Sequence, residues 1–141
     1  MIFYFSHQPG DISRMESGKV LHKLDLIEED DIDTLDNYEV LSLQRVIRKW
    51  AHKIVYFQLG VLLVLSIINT RFTNKKTYLL SFIAATIYGA TDEFHQMFIP
   101  GRGPLLSDVY IDSVSALTGV IFIALIIELL KRTRFDLEKF I

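Results

Sequence analysis

Three stretches of the chain lose nearly all charge and fill with leucine, isoleucine and valine. The first runs over about 54–69, through Val61, Leu62, Leu63, Val64, Leu65, Ile67 and Ile68, between Lys53 and Arg71. The second, about 77–91, follows Asn74, Lys75 and Lys76 and ends at Asp92 and Glu93. The third, about 109–130, carries Asp112 near its start and Glu128 near its end. Apolar runs with charged flanks predict membrane-spanning helices, here somewhat shorter than the roughly 20 residues of an average span. Helices buried in a water-soluble core can be as short and as apolar, but three of them in so small a chain would leave too little amphipathic surface to cover them. Ahead of the first span, residues 39–51 place Val40, Leu43, Val46, Ile47 and Trp50 at the spacing of an amphipathic helix suited to the membrane interface. Residues 9–37 are polar and acidic and include Gly10 and Gly18, so a loop or loosely ordered segment is expected there. The pattern predicts an all-α fold: a small polytopic membrane helical bundle with a polar, partly irregular N-terminal segment (1–38), all within one domain over 1–141.

Composition agrees with this segregation. Half of the 141 residues are hydrophobic although 23% are charged. Ten of the 17 acidic residues fall in the first 50 positions, six of them at Glu28, Glu29, Asp30, Asp31, Asp33 and Asp36, a pattern that reads as a solvated acidic face. A net charge of −2 offers no basic surplus to neutralise phosphates, which sets nucleic-acid binding aside. The absence of cysteine excludes disulfides, thiolate zinc sites and cysteine nucleophiles. Met1 to Phe5 is too short an apolar run for a signal peptide. If all three stretches span, the basic turn over 71–76 and the tail with Lys131, Arg132 and Arg134 share one side, cytoplasmic by the positive-inside rule. Residues 1–52 and 92–108 then face outward, and with them a second basic group of Arg45, Arg48, Lys49 and Lys53.

The outward side also collects the polar residues that need an explanation: Ser6, His7 and Gln8; Arg48, Lys49 and His52; Asp92, Glu93, His95 and Gln96; and Arg102, Asp108 and Asp112. Ionisable groups at membrane depth cost about 2.5–3.5 kcal/mol each, so they usually pair or serve a function. On a helix, Asp92 stacks with His95 and Gln96 while Glu93 points elsewhere, and Asp108 shares a face with Asp112. Pro100, Gly101, Gly103 and Pro104 force a non-helical connection that folds Arg102 back over the cluster. A binding pocket formed by Arg48, His52, Asp92, Glu93, His95, Gln96, Arg102, Asp108 and Asp112 is the first expectation. The alternative is a metal-assisted membrane enzyme, with Asp92, His95, Asp108 or Asp112 on a divalent ion and Glu93 or His52 moving a proton. The plainest reading is a clasp of ion pairs that fastens helix ends. Trp50, Tyr56, Tyr88 and Tyr110 read as interfacial anchors, and His7 and His22 as solvated histidines. No nucleophile elbow, phosphate-cradling loop or dinucleotide fingerprint is present, and a transporter would need several chains to assemble.

These same residues carry a resemblance to the VanZ-like family. Phe5-Ser6-His7-Gln8-Pro9 resembles its Phe-Ser-x-Gln-Pro motif, and Arg48-Lys49-Trp50-Ala51-His52, with Tyr56, Leu59 and Gly60, resembles its Arg-Lys-x-Ala-His approach to a spanning helix. Asp92-Glu93-Phe94-His95-Gln96, then Pro100-Gly101-Arg102, Asp108 and Asp112, is similar to its most distinctive block. The resemblance implies a bacterial cell-membrane protein, the founding members being associated with resistance to the lipid-tailed glycopeptide teicoplanin. Taken with the outward polar pocket, that phenotype gives the bilayer and an amphiphilic lipid or glycopeptide as expected partners, and no cofactor is expected beyond the divalent ion of the alternative reading. The chain departs from the pattern at Val55, where a glutamate is common, and at Ser115, where a glycine is common. Family members also usually carry a hydrophobic helix before the Phe-Ser motif, where Met1 to Phe5 stands here.

Overall fold

The computed structural model describes residues 6–33, 37–68, 73–103 and 105–138, with side chains described as far as Arg132. Met1 to Phe5, Arg71 and Pro104 lie outside the described residues. The elements are α1 (Gly10–Lys23), a single 3-10 turn (Glu29–Asp31), α2 (Tyr38–Ile67), α3 (Asn74–Gln96) and α4 (Leu106–Glu138), with no strand among the described residues. The all-α class follows directly.

The segment expected to be a loop holds a 14-residue helix, α1. Pro9 precedes its first turn, Asp11 sits at the positive end of the helix dipole, and His22 and Lys23 sit at the negative end. Arg14–Asp11 at 2.7 Å and Lys19–Glu16 at 2.8 Å add pairs three residues apart. Its inner face consists of Ser17, Gly18 and Leu21, too little apolar surface to leave a helical hydrophobic period in the sequence. What seats it is close approach: a Cβ on Gly18 would lie 2.8 Å from the Ile32 carbonyl oxygen, which also accepts from Gln44 Nε2 at 3.1 Å.

The amphipathic stretch 39–51 and the first expected span are one 30-residue helix, α2. Asn37 caps it, its Oδ1 accepting from the Glu39 and Val40 amides at 3.1 and 3.4 Å. No glycine or proline stands between Tyr38 and Gly60, so nothing interrupts the helix where the pattern changes from amphipathic to apolar.

α2 crosses α4 at glycine. A Cβ on Gly60 would lie 2.2 Å from the Ala116 carbonyl oxygen, and one on Gly119 would lie 2.1 Å from that of Phe57. Backbones approach this closely only over small residues, the usual device of helices packed in lipid. Val64, Val120 and Ile123 form the core beside this crossing, with Tyr78 and Phe82 of α3 against it.

α2 and α4 (as Leu106–Arg132) are long and apolar enough to cross a membrane, and only 17% of each apolar stretch is buried inside the protein. A core helix of a water-soluble protein would be mostly covered. Here Leu62, Leu65, Leu125 and Leu129 face outward, which lipid rather than water accommodates. α3, which contains the second expected span, is not among the two. Its inner face carries fully buried Thr77 and Ser81, which dilute its apolar character.

Candidate functional site

Opposite the apolar crossing, the C-terminal end of α3, the loop after it and the first turns of α4 meet α2 and the N-terminal segment. α3 continues through Gln96, and Asp92, Glu93 and Gln96 all turn inward and are buried, which corrects the expectation that Glu93 points away from the other two. Gln96 Nε2 donates to Asp92 Oδ2 at 3.2 Å, the neighbour four residues on that helical spacing predicts. The same oxygen accepts from the buried Ser6 hydroxyl at 2.7 Å.

The loop docks on the N-terminal segment through backbone. The Gly10 amide donates to the Pro100 carbonyl at 3.0 Å, and a Cβ on Gly10 would lie 2.1 Å from the Gly101 oxygen. Gly101 itself has φ +72°, a conformation that favours glycine. This turn carries Arg102 back over the cluster as expected, with Nε donating to the Gln8 carbonyl at 3.1 Å and Nη1 to Gln96 Oε1 at 3.4 Å.

Between α2 and α4 these elements enclose a cavity of about 300 Å³. α2 contributes Arg45, Arg48, Lys49 and His52, four residues on one helix face; α3 gives Glu93 and Gln96; the loop gives Arg102; and α4 gives Asp108 and Asp112. Seven of the nine expected binding residues therefore line one cavity. Asp92 stands outside that lining, on the Ser6 side. His95 is separate from it, its Nε2 3.0 Å from His7 Nδ1 with the rings stacked.

Charge in the cavity is sorted by depth. Arg45 and Lys49 are exposed and Arg48 and Arg102 half-buried, whereas Glu93 is 6% and Asp112 2% exposed. Lys49 Nζ lies 3.7 Å from Asp108 Oδ1 and His52 Nδ1 3.7 Å from Asp112 Oδ2, which are ion-pair distances too long for hydrogen bonds. Glu93 Oε2, Asp92 Oδ1, Asp108 Oδ1 and Asp112 Oδ2 accordingly have no hydrogen-bond partner among the described residues. Burial, followed by the repulsion of Asp108 and Asp112, pushes the Glu93 carboxyl up to about 7. Arg48 feels the repulsive fields of Arg102, Arg45 and Arg14.

Tyr56 corrects one expectation. It is 0% exposed rather than an interfacial anchor, and its hydroxyl lies in the field of Asp92 and Asp112 without a hydrogen-bond partner among the described residues. Gly89 makes room for its ring, a Cβ there lying 3.4 Å from Tyr56 Cε1. Trp50 and Tyr110 are exposed, as an anchor would be. Among the described residues no three histidine, aspartate or glutamate side chains gather where they could hold a metal ion. The nominated metal ligands divide between the cavity (Asp108, Asp112), the Ser6 contact (Asp92) and the His7 contact (His95).

A family model described as VanZ/LLP1 matches residues 1–128, a range that takes in the N-terminal docking segment, the cavity and both apolar helices. The chain belongs to the VanZ/LLP1 family. A search of the curated proteins and a search of the solved structures find no match. Family membership and the two apolar helices together make this VanZ/LLP1 chain a membrane protein. The cavity also includes Arg45, which sequence reasoning placed only in the basic group before the first span, and Lys49, which it placed among the clustered polar residues but not in the binding pocket. Arg48, Lys49 and His52 follow Arg45 at three, four and seven residues along one helix, and that spacing was the signal that joins them.

Proposed function

We propose that this VanZ/LLP1 protein binds an amphiphile at the membrane face through its polar cavity, and so modulates glycopeptide (teicoplanin) resistance or the lipids of the cell envelope. The observation that carries this reading is the cavity of about 300 Å³, lined by Arg48, Arg102, Glu93 and Asp112, on a bundle whose apolar helices are mostly uncovered. A ligand with a polar head and an apolar tail satisfies both surfaces together. In the proposed orientation all three long helices span, the basic turn over 71–76 and the C-terminal tail are cytoplasmic, and the cavity opens outward, where a lipid-tailed glycopeptide acts. The test is a strain expressing Arg48→Ala or Arg102→Ala, scored for membrane abundance and teicoplanin sensitivity. Normal abundance with raised sensitivity is expected. Full protection by both variants at normal abundance would overturn the reading, and loss of abundance would favour a structural clasp.

A second reading places chemistry in the cavity, and Glu93 favours it. A carboxyl pushed up to about 7 can both take and give a proton near neutral pH. Glu93 or His52 would move the proton, with Asp108 and Asp112 available to a divalent ion. Undiminished turnover of an isolated substrate by Glu93→Gln would sink it.

A further inference from the structure

The amphiphile-binding reading leaves the head group open, and the depth-sorted charges narrow it. Neither a simple anion nor a simple cation suits the cavity. An anion drawn in by Arg48 and Arg102 would meet buried Glu93 and Asp112 on the floor, and a cation would have to pass the guanidinium groups at the mouth. The floor is also short of donors: Lys49 Nζ and His52 Nδ1 stand at 3.7 Å from Asp108 Oδ1 and Asp112 Oδ2, beyond hydrogen-bond reach, and among the described residues no cation is paired with Glu93. Glu93 Oε2, Asp108 Oδ1 and Asp112 Oδ2 are buried atoms with no hydrogen-bond partner among the described residues, and an unpaired buried acceptor is costly. A primary ammonium brings three N–H donors and a positive charge to such a floor.

We infer that the cavity takes a lipid head group carrying both a phosphate and a primary ammonium, the phosphate held at the mouth by Arg48 and Arg102 and the ammonium on the floor by Glu93, Asp108 and Asp112. This rests on the amphiphile-binding reading and names its ligand class. About 300 Å³ is the small end of ligand pockets, enough for a head group and too small for a whole glycopeptide. Leu105, which lines the cavity and is 55% exposed, and its neighbour Leu106, 90% exposed, offer an apolar landing for acyl chains. The guanidinium groups suit a phosphate, since their planar donors bond it in pairs. A quaternary ammonium, which has no N–H, cannot replace the primary one on the floor.

The experiment is direct binding of short-chain lipids to the purified full chain in detergent, comparing phosphatidylethanolamine, phosphatidylglycerol and phosphatidylcholine with soluble phosphoethanolamine. Phosphatidylethanolamine is expected to bind about tenfold or more tightly than the other two lipids, the weight of a charge-assisted hydrogen bond. Glu93→Gln is expected to reduce it to the phosphatidylglycerol level. Asp108→Asn, at a half-buried position, is the second variant should Glu93→Gln not fold, and it is expected to lower the preference in the same direction. Equal binding of the three lipids by the wild-type chain would overturn the head-group inference while leaving amphiphile binding intact. No binding of any lipid would overturn both. Soluble phosphoethanolamine held as tightly as the lipid would uphold the ammonium and phosphate chemistry and overturn the lipid as its source.

Discussion

The two ends of the bundle are built on opposite terms. At the apolar crossing, α2 and α4 meet backbone to backbone over Gly60 and Gly119, and Val64, Val120 and Ile123 fill the space beside them. At the polar end, Asp92, Glu93 and Asp112 are buried with oxygens that no donor reaches among the described residues. The first end is closed, and its buried atoms without a hydrogen-bond partner among the described residues are the neutral hydroxyls of Thr77 and Ser81. The second leaves buried carboxylate oxygens short of donors, which is costly for folding, and on the proposed reading a ligand supplies the missing partners. On the proposed reading, stability and function are divided along the length of the same helices, and perturbations should fall into two kinds.

The largest effect is expected at the crossing. Gly119→Val puts carbon where the Phe57 carbonyl oxygen already lies 2.1 Å from an added Cβ, so the helices must separate. Overpacking of this kind costs about 1–3 kcal/mol or more. Membrane abundance and thermal unfolding in detergent should both fall sharply, and an unchanged midpoint would show that the crossing is not what holds the bundle. Next is Ser6→Ala, which removes the 2.7 Å bond to Asp92 and leaves a buried carboxylate further undersupplied. A loss of about 1–3 kcal/mol is expected, with hydrogen exchange rising first over residues 6–10.

Glu93→Gln separates the two ends by pH. Since burial raises the Glu93 carboxyl from its ordinary 4.5 to about 7, the folded state holds its proton more tightly than the unfolded chain does. The wild-type chain should therefore be most stable below pH about 4.5 from this group, lose that stability as pH rises to about 7, and level off above. The variant should flatten that part of the profile, as read by unfolding midpoints from pH 4 to 8. A profile identical to wild type would place the cost of the polar end elsewhere. The smallest effect belongs to Lys19→Ala, which breaks an exposed pair with Glu16 on α1. It should change stability by less than about 0.5 kcal/mol by the same measurement.

Much of this division can be read from the sequence. The uncharged runs locate the long helices because lipid-facing surface has to be apolar along its whole length. Asp108 and Asp112 share the cavity because they are four apart on a helix, and Arg102 returns to the cluster because glycine and proline break the chain on either side of it. Tyr56 was not legible as a buried residue. Its exposure depends on which way α2 faces α3, and that is decided by Gly89 in a different helix. α1 escaped for the opposite reason: its contacts are backbone approach and local ion pairs, which leave no apolar period to detect. His95 was grouped with Asp92 by helical spacing, but the N-terminal segment supplies each with a different partner, Ser6 for Asp92 and His7 for His95.

The docking of residues 6–10 on the loop at Pro100 and Gly101 has a consequence in time. Ser6 and Asp92 are 86 positions apart, so the first-made part of the site waits for its partner while three helices are synthesised. At translation rates of about 5–20 residues per second that wait is roughly 4–17 seconds. The polar end therefore cannot close until α1, α2, α3 and the loop after them have been made, whereas the crossing waits longer still, for Gly119 of α4.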